Sequence, residues 1–299
     1  MNLIDAHAHV FQSVHSFGAN GELRARGHGK ARWATGEEID VIPPGYGDQS
    51  FTAESYIRLM DENSIEKAVL VQGGLSGYDN SYLKSVAEQY PGRFVSACTF
   101  DPFCRNITKV LENLLPSFRV VYLDMSTYTG CMSNHYDFRL DSDLMLLIYE
   151  SLAKLGVIVG FDLGCYGDKS NQPDAIANIA RTFPGLRIVI SHLLGPRLTT
   201  PPYMFEWNLM MTKSDNVYYD FSALPLTLGP EAFPFPSAQK CLRQAIKLVG
   251  ADKLLWGSDA PFAVCRHSMD ELVSYASRVL LADEAKLIFH DNAERLYFT

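Results

Sequence analysis

The sequence predicts a closed (β/α)8 barrel, and three observations carry that expectation. Eight short apolar runs recur along the chain, each followed by a stretch with helical spacing or loop residues. The runs are apolar without alternation, as expected of parallel strands covered on both faces. The length, 299 residues, suits one barrel of ~250 residues plus an insertion. The whole chain, 1–299, is therefore read as one barrel domain with an insert at about 13–50. A doubly wound open sheet is the alternative, but it calls for a glycine-rich phosphate loop after the first strand. His7-Ala8-His9 stands there instead.

The first strand spans 3–10. Alternation along it would put Asp5, His7 and His9 on one face and Ile4, Ala6, Ala8 and Val10 on the other. The insert that follows is polar and rich in glycine, with Arg24, Arg26, Arg32, Phe17, Trp33 and Tyr46. It is too long for an ordinary connection, so it reads as a loop that forms a lid over the barrel mouth and orders on ligand binding. Subunit contact in a homo-oligomer is its competing use. A helix is expected from Thr52, a good N-cap, with Ile57 and Met60 on one face. The second strand is 67–74, and a helix at 80–90 ends at Pro91-Gly92. The third strand is 94–100, then a helix carries Ile107, Val110, Leu111 and Leu114. The fourth strand is 119–125, and an apolar helix at 141–155 closes at Gly156. The fifth strand is 157–163, followed by a helix with Pro173 in its first turn. The sixth strand is 186–192, with a helix around 204–211; the seventh is 216–222, with a helix at 238–249. The eighth strand is 253–261, and the tail at 270–298 reads as helix broken near Asp283.

The formal net charge is −8, with no basic tract to offset it, which argues against a nucleic-acid partner. The six cysteines lack C-x-x-C spacing and read as free thiols in a reducing compartment. No signal-peptide pattern and no apolar stretch of ~18 residues is visible, so a cytoplasmic protein without a membrane partner is expected.

In a barrel the site lies at the carboxyl ends of the strands. Polar residues close several of the apolar runs: His7 and His9, Asp124, Asp162, His192 and Asp259. Such side chains are costly at the end of a buried strand unless they are paired or ligating. Two imidazoles on one rigid strand are natural metal donors. Arg197 and Arg266 lie shortly beyond His192 and Asp259, where a guanidinium fork would match an anionic small-molecule substrate. His267 and Tyr166 are weaker candidates, and Cys165 and Cys265 read as bystanders.

These residues carry a resemblance. The segment from Ile4 to His9, the run Phe183 to His192, Leu255-Trp256-Gly257-Ser258-Asp259-Ala260-Pro261 and Asn292-Ala293-Glu294-Arg295-Leu296 resemble the amidohydrolase superfamily. Met60-Asp61 and the stretch from Ile65 to Leu70 fit as well. The branch is the amidohydrolase-related one, with lactonases of the 2-pyrone-4,6-dicarboxylate type and aminocarboxymuconate semialdehyde decarboxylases. The resemblance implies that His7 and His9 are metal ligands, that Asp259 is both ligand and general base for water, and that His192 polarises or protonates the substrate. It implies a divalent metal, zinc first. Decarboxylase-type members carry a metal-binding histidine on strand five, where this chain has Phe161-Asp162-Leu163. Asp162 is then either a fourth ligand or a hydrogen-bond partner of a histidine. A Phe-Asp-Leu strand resembles the lactonases, and that resemblance implies that a metal-independent reaction is the alternative to a metal site.

The leading function is hydrolysis of a lactone or other ester or amide of a small carboxylate-bearing metabolite by Asp-activated water. A metal-dependent decarboxylase of an unsaturated or aromatic acid is the alternative, and a non-catalytic binding barrel ranks third.

Overall fold

The structure is a computed structural model that describes residues 2–299. In chain order, β1 (Leu3–Ala8) leads into four short strands: β2 (His15–Gly18), β3 (Gly21–Gly27), β4 (Lys30–Trp33) and β5 (Glu38–Asp40). Then come α1 (Ala53–Glu62), β6 (Ile65–Leu70), α2 (Asn80–Gln89), β7 (Phe94–Cys98), α3 (Ile107–Leu114) and β8 (Val120–Asp124). The short α4 (Cys131–Asn134) precedes α5 (Asp143–Lys154), β9 (Ile158–Asp162), α6 (Pro173–Thr182) and β10 (Arg187–Ile190). The chain continues through α7 (Pro202–Thr212), β11 (Val217–Asp220), α8 (Leu224–Leu228), α9 (Pro236–Val249) and β12 (Leu254–Leu255). It ends with α10 (Met269–Ser277), α11 (Ala282–Lys286) and further helical turns to Phe298. No helix among the described residues is long and apolar enough to cross a membrane.

The eight-stranded sheet has the order β1-β6-β7-β8-β9-β10-β11-β12, and every pairing in it is parallel. The eightfold alternation read from the sequence is thus a TIM barrel. Closure is looser than expected at the last strand. The eighth run was expected to pair over 253–261, but β12 is only two residues long. Beyond it the chain closes the ring by separate contacts: Ala6 N to Trp256 O, Asp259 N to His7 O, His9 N to Ala260 O, and a bridge between Ala8 and Ala260. Asp259 itself has a left-handed backbone (φ +56°), which interrupts a regular ladder.

Local chemistry accounts for the helix starts. Thr52 accepts from Ser55 N and caps α1, Asp79 accepts from Tyr82 N and caps α2, and Ser268 with Glu271 forms a capping box on α10. Inside the ring, Ile4, Ala6, Val69, Val120, Ile158, Val189 and Leu255 form one apolar cluster. Ala293, Leu296 and Tyr297 of the C-terminal turns belong to the same cluster, so the tail plugs the barrel. A larger cluster fills the layer between strands and helices.

The insert is not the irregular loop that its composition suggested. It folds as a four-stranded antiparallel sheet, β2-β3-β4-β5. Leu23, Ala31 and Trp33 are buried while Arg24 and Arg32 alternate outward. The strands are too short and too polar to read as strands in isolation. The glycines serve turns: His28 and Gly29, both at positive φ, link β3 to β4 as a type I′ hairpin requires. Arg24 pairs with Glu22 and Arg32 with Glu38, so these arginines are engaged within the sheet. The sheet rests on neighbouring barrel loops through Ser16 Oγ to Gly74 O and Ala19 N to Tyr128 O.

Candidate active site

The first strand does not keep strict alternation. Asp5 stands opposite Ala68 and Ala8 opposite Leu70, so three steps on β1 match two on β6. This bulge splits the polar set that alternation had grouped. Asp5 turns toward α1, where it accepts from Tyr56 Oη at 2.6 Å, and it also accepts from Ser258 N at 2.9 Å. Burial pushes its carboxyl pKa up despite those donors. Ala8 and Val10 pack in the helix layer, whereas Ile4 and Ala6 point into the barrel. His7 and His9 are left facing the mouth, with ring centroids 5.1 Å apart.

Three histidines share one design. His7 Nδ1 lies 3.1 Å from Asp220 Oδ2, His9 Nδ1 3.1 Å from Val71 O, and His192 Nδ1 2.8 Å from Ser222 O. An acceptor opposite Nδ1 places the hydrogen there and frees Nε2 for other work. The Nε2 atoms of His9 and His7 lie 3.0 and 3.7 Å from Asp259 Oδ1. His192 Nε2 lies 3.8 Å from Asp162 Oδ2. Close approach at Gly257 permits this: a Cβ there would lie 2.7 Å from His7 Cβ.

The electrostatics call for a positive charge. Burial pushes the His9 pKa down and outweighs its bond to Asp259, so the neutral ring faces a carboxylate oxygen, acceptor to acceptor. Burial also opposes charge on His7, but Asp220 overcomes it and, with Asp259, lifts the group to about 9. Burial would raise the Asp259 carboxyl, yet the His9 bond and the charges of His192 and His7 hold it below its usual range. The donor atoms of His7, His9 and Asp259 all lie within 4.8 Å of one another. Two imidazoles and a carboxylate, with their Nδ1 atoms anchored by an outer ring of acceptors, fit a divalent cation such as zinc.

The cavity over this cluster measures about 170 Å³. Asp124, Asp162, Tyr122 and Thr129 line its far side, with Leu226 and Phe262 as apolar walls. Asp162 lies on the fifth strand of the ring, opposite β1, which is why it stands beside His192 and not with the histidine pair. Burial, aided by the Asp162 charge, raises Asp124 to about 6. Asp124 accepts from Ser126 N, Gly74 N and Thr129 Oγ1, and so holds two loops at the mouth.

The two arginines expected to bind substrate stand elsewhere. Arg197 lies 3.9 Å from Asp168, and Arg266 lies 3.7 Å from Asp40 of the insert. Arg266 and His267 line a separate cavity with Glu231. Among the described residues, no arginine or lysine lines the His7–His9 cavity. Asp220 is the site residue that sequence reasoning passed over. It ends the seventh run, so the same strand-end rule that found Asp162 would have found it. Besides His7, it accepts from Ser191 Oγ at 2.8 Å and His192 N at 3.2 Å. The latter bond supports a left-handed run from His192 through Leu193 and Leu194 to Gly195, a conformation costly for residues with a Cβ.

The amidohydrolase family profile matches residues 4–299. A probable 2-pyrone-4,6-dicarboxylic acid hydrolase from Acinetobacter baumannii with citric acid bound aligns at TM-score 0.72 and 18% identity, over 100% of both chains. An amidohydrolase from Burkholderia multivorans with bound zinc aligns at TM-score 0.73 and 16% identity, over 100% of this chain and 99% of that one. A 5-carboxyvanillate decarboxylase from Novosphingobium aromaticivorans, complexed with manganese and 4-hydroxy-3-methoxy-5-nitrobenzoic acid, aligns at TM-score 0.55 and 17% identity, over 82% and 79%. At these identities the likeness carries the fold. No curated protein matches the chain in sequence.

Proposed function

The chain belongs to the amidohydrolase family, and on that premise we propose that it hydrolyses a lactone or another ester or amide bond of a small, carboxylate-bearing metabolite. One observation carries the reading. Asp259 lines the cavity with Oδ1 tied to the histidines, while Oδ2 has no partner among the described residues. A low-pKa carboxylate with one free oxygen is equipped to take a proton from water.

In this reading Asp259 accepts the water proton as the water oxygen adds to the carbonyl carbon. The bond to the leaving oxygen or nitrogen then breaks, and His192 Nε2 delivers a proton to it. Burial opposes the charged form of His192, but the Asp162, Asp259 and Asp220 carboxylates together outweigh it and raise the pKa. With Nδ1–H held by Ser222 O, the protonated ring points its second hydrogen at the cavity. His7, His9 and Asp259 would hold the divalent ion, which would serve as a Lewis acid toward the carbonyl oxygen. The A. baumannii and N. aromaticivorans structures hold carboxylate ligands, which supports an anionic substrate here. Because Arg197 and Arg266 stand outside the cavity, such a carboxylate would meet imidazole and cation.

The test is a metal assay of the purified protein followed by a panel of lactones, esters and unsaturated or aromatic acids. Acid release from a lactone or ester supports hydrolysis. Carbon dioxide release without it would assign the site to decarboxylation instead.

A further inference from the structure

A second cluster of metal-ligating side chains sits on the barrel rim, away from the histidine pair. Asp101 follows β7, and Cys131 and His135 bracket the short α4 after β8. One donor atom from each lies within 4.8 Å of the other two. His135 Nε2 is 3.0 Å from Asp101 Oδ2. Two tetrahedral ligands bound at ~2.0–2.1 Å to one zinc ion stand about 3.3 Å apart, so this pair is near the spacing that a shared ion imposes.

We propose that Asp101, Cys131 and His135 form a second divalent-cation site, selective for zinc-like ions, with its fourth position open to the adjoining cavity. That cavity, about 320 Å³, is lined by all three residues together with His15 and Phe17 of the insert and Tyr78. The ligand types discriminate: thiolate and imidazole favour zinc over magnesium or calcium. Three protein ligands and one open position leave room for water or a small anion.

Burial, together with the Asp101 and Asp124 charges, pushes the Cys131 thiol up to about 12. Without an ion the sulfur therefore stays protonated. On binding, the metal–sulfur bond forms as the S–H bond breaks, and the proton leaves to buffer. The ion would tie the loop after β7 to the loop after β8, the segment whose Thr129 also faces the His7–His9 cavity.

Sulfur makes the site separable from the first, because the His7–His9–Asp259 set contains none. The full-length protein, stripped with chelator, is titrated with Co²⁺ and followed by absorbance and bound-metal stoichiometry. The expected result is a near-ultraviolet thiolate-to-cobalt charge-transfer band and one metal equivalent, both lost in Cys131→Ser. His9→Asn is expected to lose the other equivalent and keep the band. Cys131 is only 5% exposed, so His135→Asn supplies a variant at a half-buried position, again with loss of the band and the equivalent. No thiolate band at saturating cobalt, a band that survives Cys131→Ser, or unchanged stoichiometry in His135→Asn each overturns the proposal.

Discussion

Asp220 Oδ2 accepts from His7 Nδ1 at 3.1 Å, and the same carboxylate takes the backbone N–H of His192. One buried group thereby orients an imidazole of the first strand and sets the backbone of the sixth. Asp220→Asn replaces one acceptor oxygen by a donor and is expected to weaken divalent-metal affinity by roughly 10–100-fold, the usual effect of removing an outer acceptor behind a ligating histidine. Metal titration of the chelator-treated variant reads this directly. Affinity equal to wild type would show that Asp220 serves the fold alone.

Asp259→Asn keeps the side-chain shape but removes the proton acceptor. Turnover is expected to fall by about 10²–10⁴-fold. The melting temperature should stay near wild type, since Oδ1 can still face His9. Steady-state kinetics and thermal melts separate the two; activity near wild type would end the general-base assignment.

Gly257→Ala puts a methyl group 2.7 Å from His7 Cβ and 3.0 Å from Ser222 Cβ. Backbone on both sides must shift, with an expected destabilisation of ~1–3 kcal/mol, as for other overpacked cores. At Gly185 a Cβ meets nothing within 4 Å, so Gly185→Ala should be close to neutral. Denaturant melts of the pair test whether the close approach at Gly257 is the cause.

Asp124 gives stability a pH signature. Its folded pKa, about 6, lies above the ordinary carboxylate value, because burial and the Asp162 charge penalise ionisation. The folded state therefore holds a proton that the unfolded chain has already lost at ~pH 4–6. This contribution is complete below pH ~4 and disappears as pH rises through about 6. Relative to wild type, Asp124→Asn should gain stability across that window and change little above it. Thermal melts of both proteins from pH 4 to 7 measure the difference (~3 pH units in all).

Replacing residues 19–40 by a short linker removes most of the insert sheet. Its residues do not line the His7–His9 cavity, so kcat/KM is expected to change by less than ~10-fold. A greater loss would support the lid reading; a changed oligomeric state at unaltered kcat/KM would point to assembly.

Composition and spacing carried the barrel. A strand buried on both faces must be apolar throughout, and a helix on the outside must be apolar on one side, so eight alternations are visible in the residues alone. Polar side chains closing those runs stand out for the same reason, so His7, His9, Asp124, Asp162, His192 and Asp259 are legible as site candidates in the residues alone. The insert escaped because strands of three to seven residues with arginine on one face resemble loop, and only hydrogen bonding between distant segments makes them a sheet. Tertiary structure also decided what neighbours what. The bulge on β1 depends on pairing with β6, and it sent Asp5 to Tyr56 while leaving both histidines at the mouth. Asp162 faced His192 because the ring put the fifth strand across from the first. Arg197 and Arg266, close to site residues along the chain, were drawn to Asp168 and Asp40 on loops that the sequence could not orient. Periodicity records burial, which each residue expresses locally; which loop meets which strand end is set by closure of the whole ring.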